Sequence, residues 1–235
     1  MELELALSSN TIKILSIGKD IIYDGLDITY IKYPSEDTNF KLYNYIIING
    51  GDGMIRRVLK ECHHLENTPK IILNPIGSFN VIAKINRVKK LSIILEKLKN
   101  NHKIETKKQK IFSLNSEIFL FSAGNMGDLQ HILLSETLRF GILKKGMGKY
   151  IVSAIFLFPI HLVMTPFMLS SSKRFFIFTP FKFIRKFGSF YGQLDSIKID
   201  LDNEHNLIEL DGDIVTINER YLDIKEVREV EILVG

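Results

Sequence analysis

Cysteine is almost absent from this chain of 235 residues, which carries Cys62 alone. A single cysteine cannot form a disulfide within the chain, so we expect a reducing, cytoplasmic setting. The chain also has little excess charge, since its formal net charge of +4 is too small to indicate a nucleic-acid-binding protein. The opening residues, MELELALSSN, lack the basic flank and long apolar core of a secretory signal, so we expect none.

What the chain does contain is a globular mixture of 46% apolar and 25% charged residues. The first half alternates short apolar runs with helical spacing. Tyr45–Ile48 and Lys70–Leu73 are predicted as buried strands, and the apolar positions of Met54–Leu65 predict a helix. This alternation favours a parallel sheet covered by helices.

The pattern changes near the basic stretch Lys103–Lys110. Beyond it, only Gly146–Phe158 has helical spacing, and strands are predicted over Ile111–Ser122, Ser196–Leu201, Leu207–Ile217 and Glu226–Val234. We therefore predict an α/β domain over residues 1–105 and a mostly β domain over residues 106–235.

The strand at Tyr45–Ile48 leads into a glycine-rich loop, Asn49-Gly50-Gly51-Asp52-Gly53, and then into the predicted helix. Glycines permit a sharp turn and the close approach of a ligand, and the N–H groups at the start of a helix favour phosphate. Asp52 would repel phosphate unless a divalent cation or a hydroxyl nucleophile lay between them, as phosphoryl transfer requires. A plain strand-to-helix turn explains the same residues, so the loop alone leaves both interpretations open.

Five segments resemble, in order along the chain, motifs of the diacylglycerol kinase, sphingosine kinase and NAD kinase superfamily, in particular of its bacterial lipid-kinase branch. They are Gly50–Gly53 (GGDG), Asn74–Lys84 (NPIGSFNVIAK), Phe121–Asp128 (FSAGNMGD), Gly148–Tyr150 (GKY) and Leu210–Asp213 (LDGD). Each motif is weak alone, but their order and spacing together identify the chain with this superfamily.

The resemblance implies a two-domain lipid kinase, with an N-terminal Rossmann-like parallel α/β domain, a C-terminal β-sandwich and the active site in the cleft between them. It implies ATP and Mg²⁺ as cofactors. Asp52 would act with Mg²⁺ or orient the lipid hydroxyl, while Asp211 and Asp213 would reach over from the β domain, one of them as general base. The residues expected to bind the cofactor are Asn49, Gly50, Gly51, Gly53, Arg56, Gly77, Ser78 and Asn80.

Several departures from the family pattern bear on catalysis. Met54 stands in place of a threonine, Arg56 and Arg57 replace an Asn-Glu pair, and Val81 replaces an aspartate. The family's N-P-x-S-G loop is missing after the first strand. The arginines could grip phosphate directly, or the chain could have lost catalysis and kept a lipid- or nucleotide-binding role. An NAD kinase is a third alternative, which the missing aspartate weakens.

The segment Tyr150–Leu169 carries no formal charge and is long enough for a membrane-spanning helix. Pro159 and Pro166 interrupt it, and the family pattern implies a buried helix to about Phe158 and a strand near Phe167, so we favour the buried form.

The next segment, Ser170–Tyr191, interleaves cations with phenylalanines. It could be a hairpin whose phenylalanines fill the core, or a surface that docks on an anionic membrane, and one segment could do both. The residues expected to contact the membrane are Lys173, Arg174, Phe181, Arg185 and Lys186.

Together these observations predict an ATP- and Mg²⁺-dependent kinase for a lipid hydroxyl such as that of diacylglycerol. We expect it in the cytoplasm, associated peripherally with the inner face of the membrane. The expected partners are the lipid substrate and an anionic membrane surface, with no nucleic acid, and a homodimer is left open.

Overall fold

The computed structural model describes residues 12–35, 37–125 and 171–235, with a few isolated positions between residues 151 and 170. A short 3₁₀ helix spans Phe40–Leu42. The other elements are β1 Lys13–Ile17, β2 Asp27–Ile31, β3 Tyr45–Gly50, α1 Asp52–Cys62, β4 Lys70–Pro75, α2 Val81–Asn86, α3 Leu91–Lys99, β5 Thr106–Leu114, β6 Glu117–Phe119, β7 Ser122–Gly124, β8 Phe176–Phe178, β9 Lys186–Phe187, β10 Phe190–Tyr191, β11 Ser196–Asp200, β12 Asn206–Leu210, β13 Asp213–Ile217 and β14 Tyr221–Leu233.

Three sequence predictions fall largely or wholly outside the described residues: the helix at Gly146–Phe158, the apolar segment Tyr150–Leu169 and the motif Gly148–Tyr150. Within the part of the chain that the structure describes, no helix is both long enough and apolar enough to cross a bilayer.

The first sheet has the strand order β2-β1-β3-β4-β14-β5-β6, with β11 also paired to β14. Strands β1 to β4 run parallel to their neighbours, and Ile46 of β3 lies opposite Ile71 of β4. This confirms the parallel sheet predicted for the first half of the chain.

Helices cover both faces of this parallel part. Ile46 and Ile48 pack in the same core as Val58 of α1, whereas Ile47 packs on the other side with Ile94 of α3. The strand is therefore buried on both faces, and this is why its sequence is a continuous apolar run. Helix α2 begins at Val81, because the backbone before it is left-handed at Asn80, with φ 51°.

The second sheet has the order β13-β12-β7-β8-β10-β9 among the described residues. Its apolar face packs against β5, β6, β11 and the first half of β14 through a separate core. In this core the rings of Phe112 and Phe119 stack with their centroids 5.2 Å apart, and Phe175 is fully buried. An α/β part followed by a β-sandwich is the predicted fold class, which is confirmed.

Strand β14 links the two parts of the molecule. Its last residues pair in parallel with β4, where Ile232 lies opposite Ile71, and antiparallel with β5. Its first residues pair with β11 of the sandwich. The boundary predicted near Glu105 stays a prediction, and the structure adds that residues 221–233 contribute a strand to the first sheet.

Candidate phosphate-binding and catalytic site

Asn49 ties together the carboxyl ends of three parallel strands. Its side-chain amide donates hydrogen bonds to Ser16 Oγ at 3.0 Å and to the Ile17 carbonyl at 2.9 Å, and it accepts one from Asn74 Nδ2 at 2.7 Å. Ligands of open α/β sheets bind beyond this edge. Asn49 was expected to contact the cofactor, but its side chain is buried among protein partners and positions the loop that follows.

The two predicted nucleotide loops touch each other. A Cβ atom on Gly77 would lie 2.5 Å from the Cα atom of Gly51, so the contact leaves no room for a side chain. Asn80 fixes the second loop, because its Oδ1 accepts from the Gly77 N–H at 3.1 Å and its Nδ2 donates to the Gly77 carbonyl at 2.8 Å. Ser78 lies exposed on this turn. The structure therefore brings both glycine motifs to one point.

Asp52 joins the first loop to helix α2. It is the first residue of α1, and its carboxylate accepts the N–H of Val81 at 2.8 Å and that of Ile82 at 3.0 Å. These are free N–H groups of the first turn of α2, which a carboxylate stabilises. Burial raises the pKa of Asp52, while the two hydrogen bonds lower it. Both carboxylate oxygens of Asp52, the predicted metal ligand, therefore already accept hydrogen bonds from the protein.

The motif Leu210–Asp213 forms a two-residue hairpin turn between β12 and β13. Asp211 and Gly212 have φ values of 52° and 89°, as in a type I′ turn, so the prediction of a continuous strand was wrong here. The turn places the two aspartates in different surroundings. Asp211 points into the protein, and Asp213 begins β13.

Asp211 is enclosed at the junction of the two sheets. Its carboxylate accepts the backbone N–H of Leu120 at 2.7 Å, of Phe121 at 2.9 Å and of Ser122 at 3.0 Å. Burial raises the pKa of the Asp211 carboxyl to about 7, although these hydrogen bonds act in the opposite direction. With only 3% of the residue exposed, this carboxylate fixes the passage from β6 to β7, and its catalytic role stays a prediction.

Asp213, in contrast, lies against the glycine loop. A Cβ atom on Gly53 would lie 2.8 Å from both carboxylate oxygens of Asp213. One of these oxygens, Oδ2, accepts from Arg57 Nε at 3.3 Å, from Arg57 Nη2 at 3.0 Å and from Arg56 Nη2 at 3.2 Å. The second sheet therefore brings one acidic residue of the predicted site to the glycine loop, where two arginines bind it.

The arginines belong to an ion network that extends along α1. Arg56 is buried, and its Nη1 donates to Glu117 Oε2 at 3.0 Å, while Lys60 Nζ lies 2.5 Å from Glu117 Oε1. With Arg57 and Asp213 this makes three cations and two carboxylates. Glu117 was not predicted, because it lies outside every motif and meets Arg56 only through the pairing of β5 with β6.

A cavity of about 370 Å³ opens beside this network, and its lining includes Met54, Arg57 and Lys60. Met54 also packs over the loop, since a Cβ atom on Gly50 would lie 2.6 Å from the Met54 Cβ. The Arg57 side chain is 56% exposed and can turn towards an anion. Glycine backbone, a helix N-terminus and exposed cations are the groups that bind phosphate.

A match of the sequence to a known domain agrees with this geometry. Residues 34–111 match the diacylglycerol kinase catalytic domain. The matched range contains both glycine loops and the arginine pair, so the resemblance predicted from the motifs is confirmed. No curated protein gives a significant match to the chain.

Solved structures resemble this chain over nearly its whole length. A diacylglycerol kinase from Bacillus anthracis str. Sterne has a TM-score of 0.56 and 13% identity, with 96% of this chain and 97% of that chain covered. A second structure from that organism, provisionally described as a diacylglycerol kinase, has a TM-score of 0.57 and 14% identity with the same coverage. An NAD kinase from Archaeoglobus fulgidus in complex with ATP has a TM-score of 0.46 and 11% identity, with 94% and 92% covered. Likeness at these identities shows the fold alone.

The groups at the glycine loop suit a phosphate better than a metal ion held by the protein alone. Mg²⁺ usually takes one or two carboxylates together with substrate phosphates and water. Asp52 and Asp213 are the carboxylates beside Gly53, and both already accept hydrogen bonds. Within residues 12–35, 37–125 and 171–235, no group of three or more His, Cys, Asp or Glu side chains could hold a metal. A Mg²⁺ ion would therefore have to be held largely by the phosphates.

The predicted membrane contacts divide into two groups. Lys173 forms an ion pair with Asp202, and Arg174 Nη1 donates to the Asn125 carbonyl at 2.9 Å, so both side chains have protein partners. Three others lie together in and beside the turn that precedes β9 and are exposed: Phe181, Arg185 and Lys186.

Proposed function

We propose that the chain is a phosphotransferase that moves the terminal phosphoryl group of ATP to the hydroxyl of a diacylglycerol-like lipid at the inner face of a membrane. The observation that best supports this is the contact between Asp213 and Gly53. Because Gly53 lies at the start of α1 and Asp213 begins β13 of the second sheet, their contact brings a carboxylate from a different motif to the glycine loop. An acceptor hydroxyl needs a base at that position.

The nucleotide side of the site uses backbone rather than side chains. Gly51 and Gly77 leave the loops bare where they touch, and the first N–H groups of α1 point at the phosphates. Arg57 turns from Asp213 to a phosphate oxygen when ATP binds, because a guanidinium matches phosphate as well as carboxylate. When bound with ATP, Mg²⁺ supplies further neutralisation of phosphate charge, with Asp52 and Asp213 as the carboxylates near it.

In the transfer step, one bond to phosphorus forms and another breaks. Asp213 takes the proton of the lipid hydroxyl while the oxygen of that hydroxyl bonds to the terminal phosphorus of ATP. The bond from that phosphorus to the bridging oxygen breaks, and ADP leaves with the electron pair. Arg56 remains on Glu117 and compensates the charge that develops beside the loop.

A second candidate is a non-catalytic lipid- or nucleotide-binding protein of the same fold. The observation in its favour is that three guanidinium N–H groups converge on Asp213 Oδ2, which weakens that oxygen as a base. Met54 and Val81 also place apolar side chains where the family has polar ones. This candidate predicts ATP or lipid binding without turnover.

Labelled ATP, Mg²⁺ and vesicles that contain diacylglycerol test the proposal on the purified chain. We expect label in the lipid fraction, and a loss of roughly 100-fold or more in Asp213→Asn, since general bases contribute at least that much. Asp24→Asn, whose side chain is fully exposed, is the matched control and should leave the rate unchanged. Unchanged transfer in Asp213→Asn overturns the base assignment. ATP binding by calorimetry without any transfer supports the second candidate.

A further inference from the structure

The turn that precedes β9 presents apolar side chains to solvent. We name residues 181–188 (FKFIRKFG) the docking loop. Phe183 and Phe187 are 77% and 65% exposed, and Phe181 is 39% exposed. In the same segment Phe175 is fully buried in the sandwich core. The structure thus separates Phe175, which builds the core, from Phe183 and Phe187, whose rings lie mostly in solvent.

Cations surround the exposed rings. Lys182, Arg185 and Lys186 are exposed, and the docking loop contains no acidic residue. Among the described residues, the carboxylate that pairs with the loop is Asp195, whose Oδ2 lies 3.5 Å from Arg185 Nη2, with the two side chains 89% and 82% exposed. Such a surface pair contributes little, so the cations remain available to another anion. The loop is therefore apolar at its tips and positive between them.

The docking loop is held in place by the residues just after β10 and by β8. A Cβ atom on Gly192 would lie 2.2 Å from the carbonyl oxygens of Phe181 and Ile184, so the chain segments touch directly. Gln193 donates a hydrogen bond to the Lys182 carbonyl. The Phe181 ring packs on Phe178 with the centroids 5.3 Å apart. A loop fixed in this way keeps its apolar tips outward without an ordering cost on binding.

We propose that the docking loop seats the protein on a bilayer that contains anionic lipid. Phe183 and Phe187 insert at the level of the headgroups, and Lys182 and Lys186 contact lipid phosphates. The charge pattern favours an anionic bilayer as the partner, because phosphate-rich surfaces complement a positive loop with apolar tips. The purpose of this docking rests on the proposed function, in which the acceptor hydroxyl lies in a membrane. Binding of the loop to the membrane itself requires no ATP.

Co-sedimentation with vesicles in the absence of ATP tests the loop. We expect binding to vesicles of phosphatidylcholine with phosphatidylglycerol and much weaker binding to phosphatidylcholine alone. Phe183→Ser/Phe187→Ser should lower the partition coefficient about tenfold for each ring. Lys182→Gln/Lys186→Gln should lower it roughly fivefold for each cation.

Matched controls use residues of the first part of the chain. Ile22→Ser/Leu42→Ser removes apolar side chains that are 92% and 58% exposed, and Lys70→Gln/Lys108→Gln removes two exposed cations. Both controls should bind vesicles as the unaltered protein does. All variants should keep the urea midpoint, because every altered side chain lies at the surface.

Two results would overturn the docking loop. One is unchanged binding of Phe183→Ser/Phe187→Ser to the anionic vesicles. The other is self-association that depends on Phe183 with no vesicle binding, which assigns the loop to a second copy of the chain. A failure of the docking loop can be told apart from a failure of the kinase proposal by measuring phosphoryl transfer to diacylglycerol dispersed in detergent. A substrate dispersed in this way removes the need for docking.

Discussion

Replacing Asp211 by asparagine should remove a pH dependence of stability that the buried carboxyl creates. Burial raises the pKa of this carboxyl in the folded chain to about 7 from its ordinary value of 3.8. Between these two values the folded chain holds a proton that the unfolded chain has released. The free energy of unfolding therefore falls as pH rises through this window, and it levels off above about pH 7.

The size of the effect follows from the shift. One pKa unit corresponds to about 1.4 kcal/mol, so the stability of the unaltered protein should fall by about 3 kcal/mol between pH 5 and pH 8. Asparagine does not titrate. Its Oδ1 can still accept from Phe121 and Ser122, and only the bond from the Leu120 N–H is lost. That loss costs about 1–3 kcal/mol at every pH.

Urea unfolding of both proteins from pH 5 to pH 8 measures the difference. Other titrating groups affect both proteins equally and cancel. With a urea dependence of about 3 kcal/mol per molar, the separation of the two midpoints should change by about 1 M across this range. A separation that stays constant from pH 5 to pH 8 would refute the assignment of Asp211 as a buried carboxyl with a raised pKa.

Two further predictions concern the first sheet and its loops. Burial raises the pKa of the Cys62 thiol to about 12, so iodoacetamide should label it only as fast as the folded chain opens, and urea should accelerate the labelling. Gly77→Ala places a Cβ atom 2.5 Å from the Gly51 Cα and should force the loops apart, which calorimetry should detect as ATP affinity lowered at least about tenfold. Equal ATP affinity in this variant would show that the two loops do not act together.

The parallel sheet was predictable because its signals are local. Ile46, Ile47 and Ile48 form a continuous apolar run whose members face two different helical layers. The glycine loop at Gly50–Gly53 was equally visible, since strand, glycines and helix follow one another directly. Patterns of a few residues therefore predicted this part of the fold and the position of the glycine loop.

The division of roles between Asp211 and Asp213 was not predicted. The sequence predicts one strand over Leu207–Ile217, with both carboxylates reaching over from the β domain. The Asp-Gly pair between apolar runs is a strong signal for a type I′ hairpin, and that turn would have separated the two carboxylates. Glu117 offered no such signal, because its contact with Arg56 depends on which strands pair, and register between distant segments is not written in local periodicity.

The position of β14 bears on how the protein is made. This strand lies between β4 and β5, yet its residues are translated more than a hundred positions after both. During synthesis, the part of the chain that carries the glycine loop therefore has an open sheet edge until β14 is made. Such an edge is prone to wrong pairing. Nascent chains arrested before Tyr221 should show β4 and β5 open to protease, and chains released beyond Leu233 should protect them.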